Sequence, residues 1–340
     1  MQTSLLKRLD WIVSPAACYL GALFPKAAAS VPEKKLILRP GGMGDFICAD
    51  IALQELGLDA RNFTWVIEKR SKPWASFRRL PHVCYDATPR DAFSRVISRY
   101  GLVINTEQRF GLAEAYALAC RAKGGRVASF TTNRGSSWSH VKVSYDWRDR
   151  HETIEFAHLF AVALGLPEVE VTKPRLPRPR LHPPSAPPLV LIAGRQSPSR
   201  RLTLDAWTAL IVKWHPKRPF LIAASPEDAD FADQLIRRFD GVALRFTGAF
   251  NELCEQIARS EELLTMDGGA VHIASFFGVP TLALFTSGRD RKWHPLGEGS
   301  RILRRHDLIC QPCTKFGQVP PCPYGYACLK LDDVEPAKLF

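Results

Sequence analysis

The sequence predicts an α/β protein built as two parallel-sheet domains joined by a proline-rich segment. Three observations carry that expectation. Short apolar runs alternate with stretches of helical period along most of the chain. Two glycine turns, Gly41-Gly42-Met43-Gly44 and Gly268-Gly269, each follow an apolar run and open a helical pattern. Between them residues 171–188, VTKPRLPRPRLHPPSAPP, hold seven prolines and little period, the composition of an extended, semi-rigid boundary.

Taken in order, residues 1–30 are expected to carry an amphipathic helix. Leu5, Leu6, Leu9, Ile12 and Val13 fall at helical spacing, with Lys7, Arg8 and Asp10 on the other side. Such a helix packs on the body or rests on a membrane surface. A first domain spans 31–170. There Lys35–Arg39, Phe63–Ile67, Leu102–Asn105 and Val127–Phe130 are expected strands, and Phe46–Leu56 and Leu112–Arg121 expected helices. After the boundary a second domain, 189–340, alternates again: strands are expected at Leu189–Ala193, Phe220–Ala224, Val242–Arg245 and Leu263–Met266. Helices are expected at Leu204–Trp214, Asp228–Phe239 and Leu253–Arg259. Repeated alternation implies parallel sheets covered by helices on both faces. Two such domains on a hinge would face each other across a cleft, where ligands gather at the carboxyl ends of the strands.

Composition narrows the class. With 340 residues, 46% hydrophobic and 24% charged, the chain is globular and long enough for two domains. Its net charge of +12 is uneven: residues 1–180 carry 27 Lys and Arg against 17 Asp and Glu, and the remainder 19 against 17. An acidic partner is therefore expected to meet the first half. No run approaches the ~20 apolar residues that span a bilayer; Trp11 to Phe24 is shorter and contains Pro15. Five of the nine cysteines, Cys18, Cys48, Cys84, Cys120 and Cys254, are scattered through apolar stretches, as reduced thiols in a cytoplasm are.

Both glycine turns suit chemistry. A turn that opens a helix aims free N–H groups, at the positive end of the helix dipole, towards a phosphate. At the second turn Asp267 and His272 flank Gly268 and Gly269. The first turn is not a dinucleotide fingerprint, because Ile47 stands where that pattern needs glycine or alanine. It instead places Asp45 at a helix start, either as a helix cap or as a base for a hydroxyl nucleophile.

In order and spacing these motifs resemble glycosyltransferase family 9, the heptosyltransferases of lipopolysaccharide assembly. The strand and G-D turn are matched by Leu36 to Arg39 and Gly44-Asp45. The family's D-S-G-x-x-H-x-A-x-x-x-G-x-P pattern is matched by Asp267, Gly269, His272, Ala274, Gly278 and Pro280, with Gly268 in place of serine. Arg200 to Trp207 resembles the opening of the second domain's first helix, and Arg291 to Gly297 the R-x-W-x-P-x-G motif. His151-Glu152 has a counterpart too.

The resemblance implies the two-domain GT-B fold, with Rossmann-like domains facing across a cleft and direct displacement with inversion. It implies that Asp45 is the general base and that Gly42, Met43 and Gly44 border the acceptor. Arg200, Asp267, Gly268, Gly269 and His272 would hold the donor phosphates and sugar, with Glu227 or Asp228 near the nucleoside. The family's G-P-T-D-P is replaced by Thr286 to Asp290, where Arg289 either adds a phosphate contact or is solvated. The expected donor is a nucleotide sugar, with ADP-heptose favoured, and the expected acceptor an anionic glycolipid saccharide. The expected location is cytoplasmic, peripheral to the inner membrane, with no nucleic acid partner and no cofactor required for catalysis. Cys310, Cys313, Cys322 and Cys328 form a C-x-x-C pair with two further thiols, either a structural zinc or iron site or free or disulfide-bonded thiols. The alternatives are a nucleotide-dependent oxidoreductase on a doubly wound fold, which lacks its fingerprint here, and a transferase fold without activity.

Overall fold

The computed structural model describes residues 33–87, 100–108, 111–166, 177–214, 218–314, 319–331 and 333–339. The helix expected within residues 1–30 lies outside them. The chain divides into two compact units, Met1–Pro174 and Arg175–Phe340.

The first unit is built on strands β1 (Lys35–Arg39), β2 (Phe63–Ile67), β3 (His82–Cys84), β4 (Leu102–Asn105), β5 (Arg126–Phe130) and β6 (Val141–Val143). All pair in parallel, in the order β3-β2-β1-β4-β5-β6. Helices α1 (Met43–Glu55), α2 (Lys72–Phe77), α3 (Gly111–Ala122) and α4 (Glu152–Leu164) accompany them. Alternation sorts the two faces. Leu36, Leu38, Val66, Val103 and Val127 pack with Ala113, Tyr116, Ala117 and Cys120 of α3. On the other face the Phe46 ring of α1 meets Trp65 edge-on at 4.9 Å, and Phe156 of α4 lies 6.3 Å from Phe130.

Helix α1 packs along α4 and buries every residue from Phe46 to Leu53, so it is apolar on nearly all sides, as a sandwiched helix must be. Its one buried charge, Asp50, accepts from Trp74 Nε1 at 3.0 Å and Arg78 Nε at 2.9 Å. These bonds offset the desolvation of that carboxylate.

The second unit repeats the plan. Strands β7 (Leu189–Ile192), β8 (Phe220–Ala224), β9 (Ala243–Arg245), β10 (Leu263–Met266), β11 (Thr281–Leu284) and β12 (Arg301–Leu303) are parallel, and β13 (Ala337–Lys338) closes one edge antiparallel. The order is β13-β12-β11-β10-β7-β8-β9. Helices α5 (Leu204–Trp214), α6 (Ala229–Arg237), α7 (Phe250–Arg259), α8 (Gly269–Phe277) and α9 (Asp290–Trp293) complete it. Val190, Ile192, Ile222, Leu264, Met266, Leu282 and Leu284 pack with Trp207, Leu210 and Ile211 of α5 and Leu235 of α6. In each unit the strand order reverses at one point, between β1 and β4 and between β7 and β10. At such a point two loops leave the carboxyl ends of neighbouring strands in opposite directions and open a crevice.

The expected strands from 35 to 67, at 102–105, 220–224 and 263–266 match the observed bounds. The short strands β3, β6, β12 and β13 were not anticipated, because runs of two or three residues carry no measurable period. Helix α7 begins at Phe250, ahead of its expected start at Leu253, because Glu252 reaches back to accept from the Ala249 N–H at 2.6 Å. From residue 177 the proline-rich stretch lies along the second unit. Arg178, buried, donates to the Ser275 and Phe276 carbonyls at the end of α8. Arg180 donates to the Ala258 carbonyl in the last turn of α7 and to the Ser260 and Glu261 carbonyls just beyond it. Both cations sit at the negative ends of helix dipoles and satisfy last-turn carbonyls.

Candidate functional site

In the first unit the residues of interest gather at the carboxyl ends of β1, β2 and β4. Arg39 ends β1 and is almost wholly buried. Its Nη1 donates to the Thr106 carbonyl at 3.2 Å, and its Nη2 makes a contact ion pair with Glu107, just beyond β4. The same Nη2 stands 3.8 Å from Oδ1 of Asp45, whose side chain is 29% exposed. Asp45 lies in the first turn of α1, where Gly42 is the N-cap and Met43 and Gly44 lead in, all half-buried. The turn must be glycine at Gly41: a Cβ there would fall 2.1 Å from Arg39 Nη2 and 2.9 Å from Glu107 Oε1. The structure therefore brings Asp45 together with the glycine turn.

Three further carboxylates surround this pair. Glu107 is pushed up to about 7, first by burial, against the pull of Arg39 and with Asp45, Glu68 and Glu152 adding repulsion. Glu68, beyond β2, accepts from Tyr85 Oη at 3.2 Å and pairs with Arg70. Burial raises its carboxyl above the ordinary range, against Arg70. Glu152, first residue of α4, accepts from Gln108 Nε2 at 2.7 Å and Tyr145 Oη at 2.8 Å. Arg39, Glu68 and Glu107 were not anticipated as site residues. The signal that would have found them is their position: each is a charged residue at, or one or two residues after, the end of an apolar strand.

In the second unit Asp267 follows β10 at the strand-order reversal, and Gly268 and Gly269 open α8. A Cβ at Gly269 would meet no atom within 4 Å, and one at Gly268 only the Met266 carbonyl, at 3.8 Å. Both glycines thus leave open room beside this helix N-terminus, an end that favours an anion. Asp267 is buried and its carboxyl is raised by burial, opposed by Arg200, whose Nη2 lies 3.5 Å from Oδ2. His272, in the first turn, is buried and meets Trp293 edge-on at 5.7 Å. Asp267, Gly268, Gly269, His272 and Arg200 thus share one end of the unit.

Asp228 belongs to a neighbouring group. It is buried before α6, accepts from Ser225 Oγ at 3.0 Å and lies 3.7 Å from Arg195 Nε. The Arg195 guanidinium stacks 3.4 Å from the centre of the Phe231 ring. Arg289 caps α9, half-buried, and its carbonyl accepts from the Lys292 and Trp293 N–H groups at 3.2 Å.

The loop Thr286 to Asp290 was singled out beside the donor, but the contacts of its residues were not. Gly288 is packed so closely on Asp267 that a Cβ would fall 2.0 Å from Oδ2. Ser199 and Ser287 exchange a hydroxyl bond at 3.0 Å, and Thr286 donates to the Ser199 carbonyl at 2.6 Å. These bonds tie the loop after β7 to the loop after β11. The cysteine tail joins them: Gln311 donates to the Thr286 carbonyl, and the Thr314 N–H to the Ser287 carbonyl at 3.0 Å. Within the tail the Tyr326 N–H points at Cys322 Sγ at 3.4 Å. Burial, then the other three tail thiols, push Cys328 up to about 11. Among the described residues, no group of three or more His, Cys, Asp or Glu side chains is placed to hold a metal ion. Likewise, no described helix is long and apolar enough to cross a membrane.

Comparison with known proteins identifies the family. Residues 98–322 match the profile of glycosyltransferase family 9 (heptosyltransferase). That span includes the donor-side group but not Asp45. Among solved structures the chain is similar to E. coli heptosyltransferase WaaC with ADP, with TM-score 0.61 and 17% identity over 79% of this chain and 92% of that one. It is also similar to E. coli ADP-heptose lps heptosyltransferase II, with TM-score 0.59 and 15% identity over 82% and 92% of the two chains. A glycosyl transferase family 9 protein from Veillonella parvula gives TM-score 0.59 and 13% identity over 82% and 88%. No curated protein matches the chain in sequence. With two doubly wound α/β units of the GT-B class and a profile match over most of its length, the chain belongs to glycosyltransferase family 9, the heptosyltransferase family, and is a nucleotide-sugar-dependent glycosyltransferase.

Proposed function

We propose that this enzyme transfers heptose from ADP-heptose, with inversion, to an anionic saccharide of lipopolysaccharide type, working at the cytoplasmic face of the inner membrane. Membership of the heptosyltransferase family carries the reading. The structural neighbours solved with ADP and with ADP-2-deoxy-2-fluoro heptose support its donor. In the scheme Asp45 takes the proton of the acceptor hydroxyl. The acceptor oxygen then bonds to the anomeric carbon as the bond from that carbon to the β-phosphate oxygen breaks, and ADP leaves with the electron pair. Arg200, His272 and the N–H groups opening α8 meet the charge that gathers on the leaving phosphate, and Asp228 and Arg289 border the donor. Gly42, Met43 and Gly44 let the acceptor approach Asp45. The carboxylates around Asp45 disfavour an acceptor phosphate at that point. The exposed Lys69, Arg70 and Lys72 are better placed to meet one, since Arg70 Nη2 comes within 3.9 Å of a Cβ position at Gly42.

Titration calorimetry with ADP, UDP, GDP and NAD tests the donor. Selective binding of ADP, followed by turnover of ADP-heptose with a lipopolysaccharide core acceptor, supports the proposal. Selective binding of UDP or GDP removes the heptose donor, and binding of NAD alone removes the transferase reaction. Elemental analysis of the same sample for zinc and iron tests whether the four-cysteine tail holds a structural metal or only thiols.

A further inference from the structure

We propose that Glu107 and Arg39 are positioning residues that govern how readily Asp45 accepts a proton, through one guanidinium nitrogen shared by two carboxylates. The inference rests on the reading of Asp45 as the base. Nη2 of Arg39 is paired in contact with Glu107 and stands 3.8 Å from Asp45. The guanidinium cannot swing between them freely. Nη1 is tied to the Thr106 carbonyl, its carbon lies 5.6 Å from the centre of the Phe156 ring, and Gly41 leaves it no more than glycine's room. Glu107 is held as firmly: its N–H donates to Asn105 Oδ1 at 3.1 Å, and its carbonyl accepts from Asn133 Nδ2 at 3.0 Å.

In this buried setting one cation faces two acids. When Glu107 is ionised it claims most of the Arg39 charge, and Asp45 is free to accept a proton. When Glu107 is protonated, that charge falls to Asp45 alone. The other charged groups facing Glu107 have partners of their own: Glu68 with Arg70 and Tyr85, and Glu152 with Gln108 and Tyr145. Glu152 acts on Arg39 as well, but Glu107 is the carboxylate in contact with the same nitrogen that faces Asp45, and so the one that exchanges Arg39 with it. Its displacement to about 7 puts that exchange near neutral pH. The arrangement also suits the reaction: as Asp45 takes the hydroxyl proton and loses its charge, Arg39 remains neutralised by Glu107.

The test is a carboxyl-carbon NMR titration of the full chain, labelled at aspartate and glutamate and without substrate. The Asp45 signal is expected to move as Glu107 titrates near pH 7. That movement should be lost in Glu107→Gln and kept, though weakened, in Arg39→Lys. An Asp45 signal that does not move near pH 7 in the native chain, or moves identically in Glu107→Gln, overturns the inference. Turnover is read alongside, with ADP-heptose and a lipopolysaccharide core acceptor. Native kcat should rise through about pH 7, while Glu107→Gln stays level and roughly tenfold lower at pH 8, a change of one pKa unit in proton affinity. KM and ADP binding should not change; a loss confined to KM or ADP binding overturns the proposal. Asp45→Asn separates the two readings. Retained turnover there removes Asp45 as the base, whatever the NMR titration shows. A dead Asp45→Asn with no coupling in the NMR titration removes only the role given to Glu107 and Arg39.

Discussion

Replacing Glu107 with glutamine is expected to stabilise the protein, and only at higher pH. The folded chain holds this carboxyl at about 7 against an ordinary 4.5. Between those values the folded state binds more protons than the unfolded one, so stability falls as pH rises through the window. A displacement of some 2.5 units, at about 1.4 kcal/mol each, comes to about 3 kcal/mol of strain from the ionised group above pH 7. Glutamine keeps the shape and an acceptor oxygen for Arg39, which still faces Asp45 and Glu152, so no buried cation is stranded. At roughly 2–4 °C per kcal/mol for a unit of this size, the variant should melt roughly 6–12 °C higher at pH 8. Near pH 5 the two proteins should differ little. Thermal unfolding followed by circular dichroism across that range is the assay. Parallel melting curves for the two proteins over the whole range would refute the reasoning, because Glu107 would then be equally easy to ionise folded and unfolded.

Other consequences follow from single contacts. Gly288→Ala drives a Cβ into Oδ2 of Asp267, 2.0 Å away, and should weaken ADP binding on the order of tenfold by calorimetry, about the loss of one good hydrogen bond; unchanged affinity would remove Asp267 from the donor site. Asp45→Asn should lower kcat by roughly 10²–10⁴, the usual worth of a general base, while ADP binding stays as it was. Arg178→Met removes the guanidinium that donates to the Ser275 and Phe276 carbonyls at the end of α8. It should cost about 1–3 kcal/mol in urea unfolding, and a neutral result would mean that water replaces the guanidinium there.

The central strands and the helices around them were legible because their residues repeat a physical constraint. A strand buried on both faces must be apolar throughout, as Leu36-Ile37-Leu38 and Leu263-Leu264 are, and a glycine turn must precede a helix that presents its N–H groups. Asp45, Asp267 and His272 were legible for the same reason, each sitting at a fixed step from such a turn. Edge strands such as β3 and β6 were not, since three residues paired on one side carry no pattern of their own. The proline-rich stretch shows a different gap. Its composition marks a boundary between units, but nothing in it says that Arg178 and Arg180 will cap α8 and α7.

By itself, then, the sequence determined two α/β units and where the glycine turns that open their helices lie, because both follow from local pattern and backbone chemistry. Only the tertiary structure decided that Arg39 and Glu107, far apart in sequence, flank Asp45, and that Gly288 and the tail residues Gln311 and Thr314 wall the Asp267 end. The physical reason is parallel topology: strands adjacent in space are separated by whole crossovers in the chain, so the groups that share a buried charge are joined by no local rule of spacing.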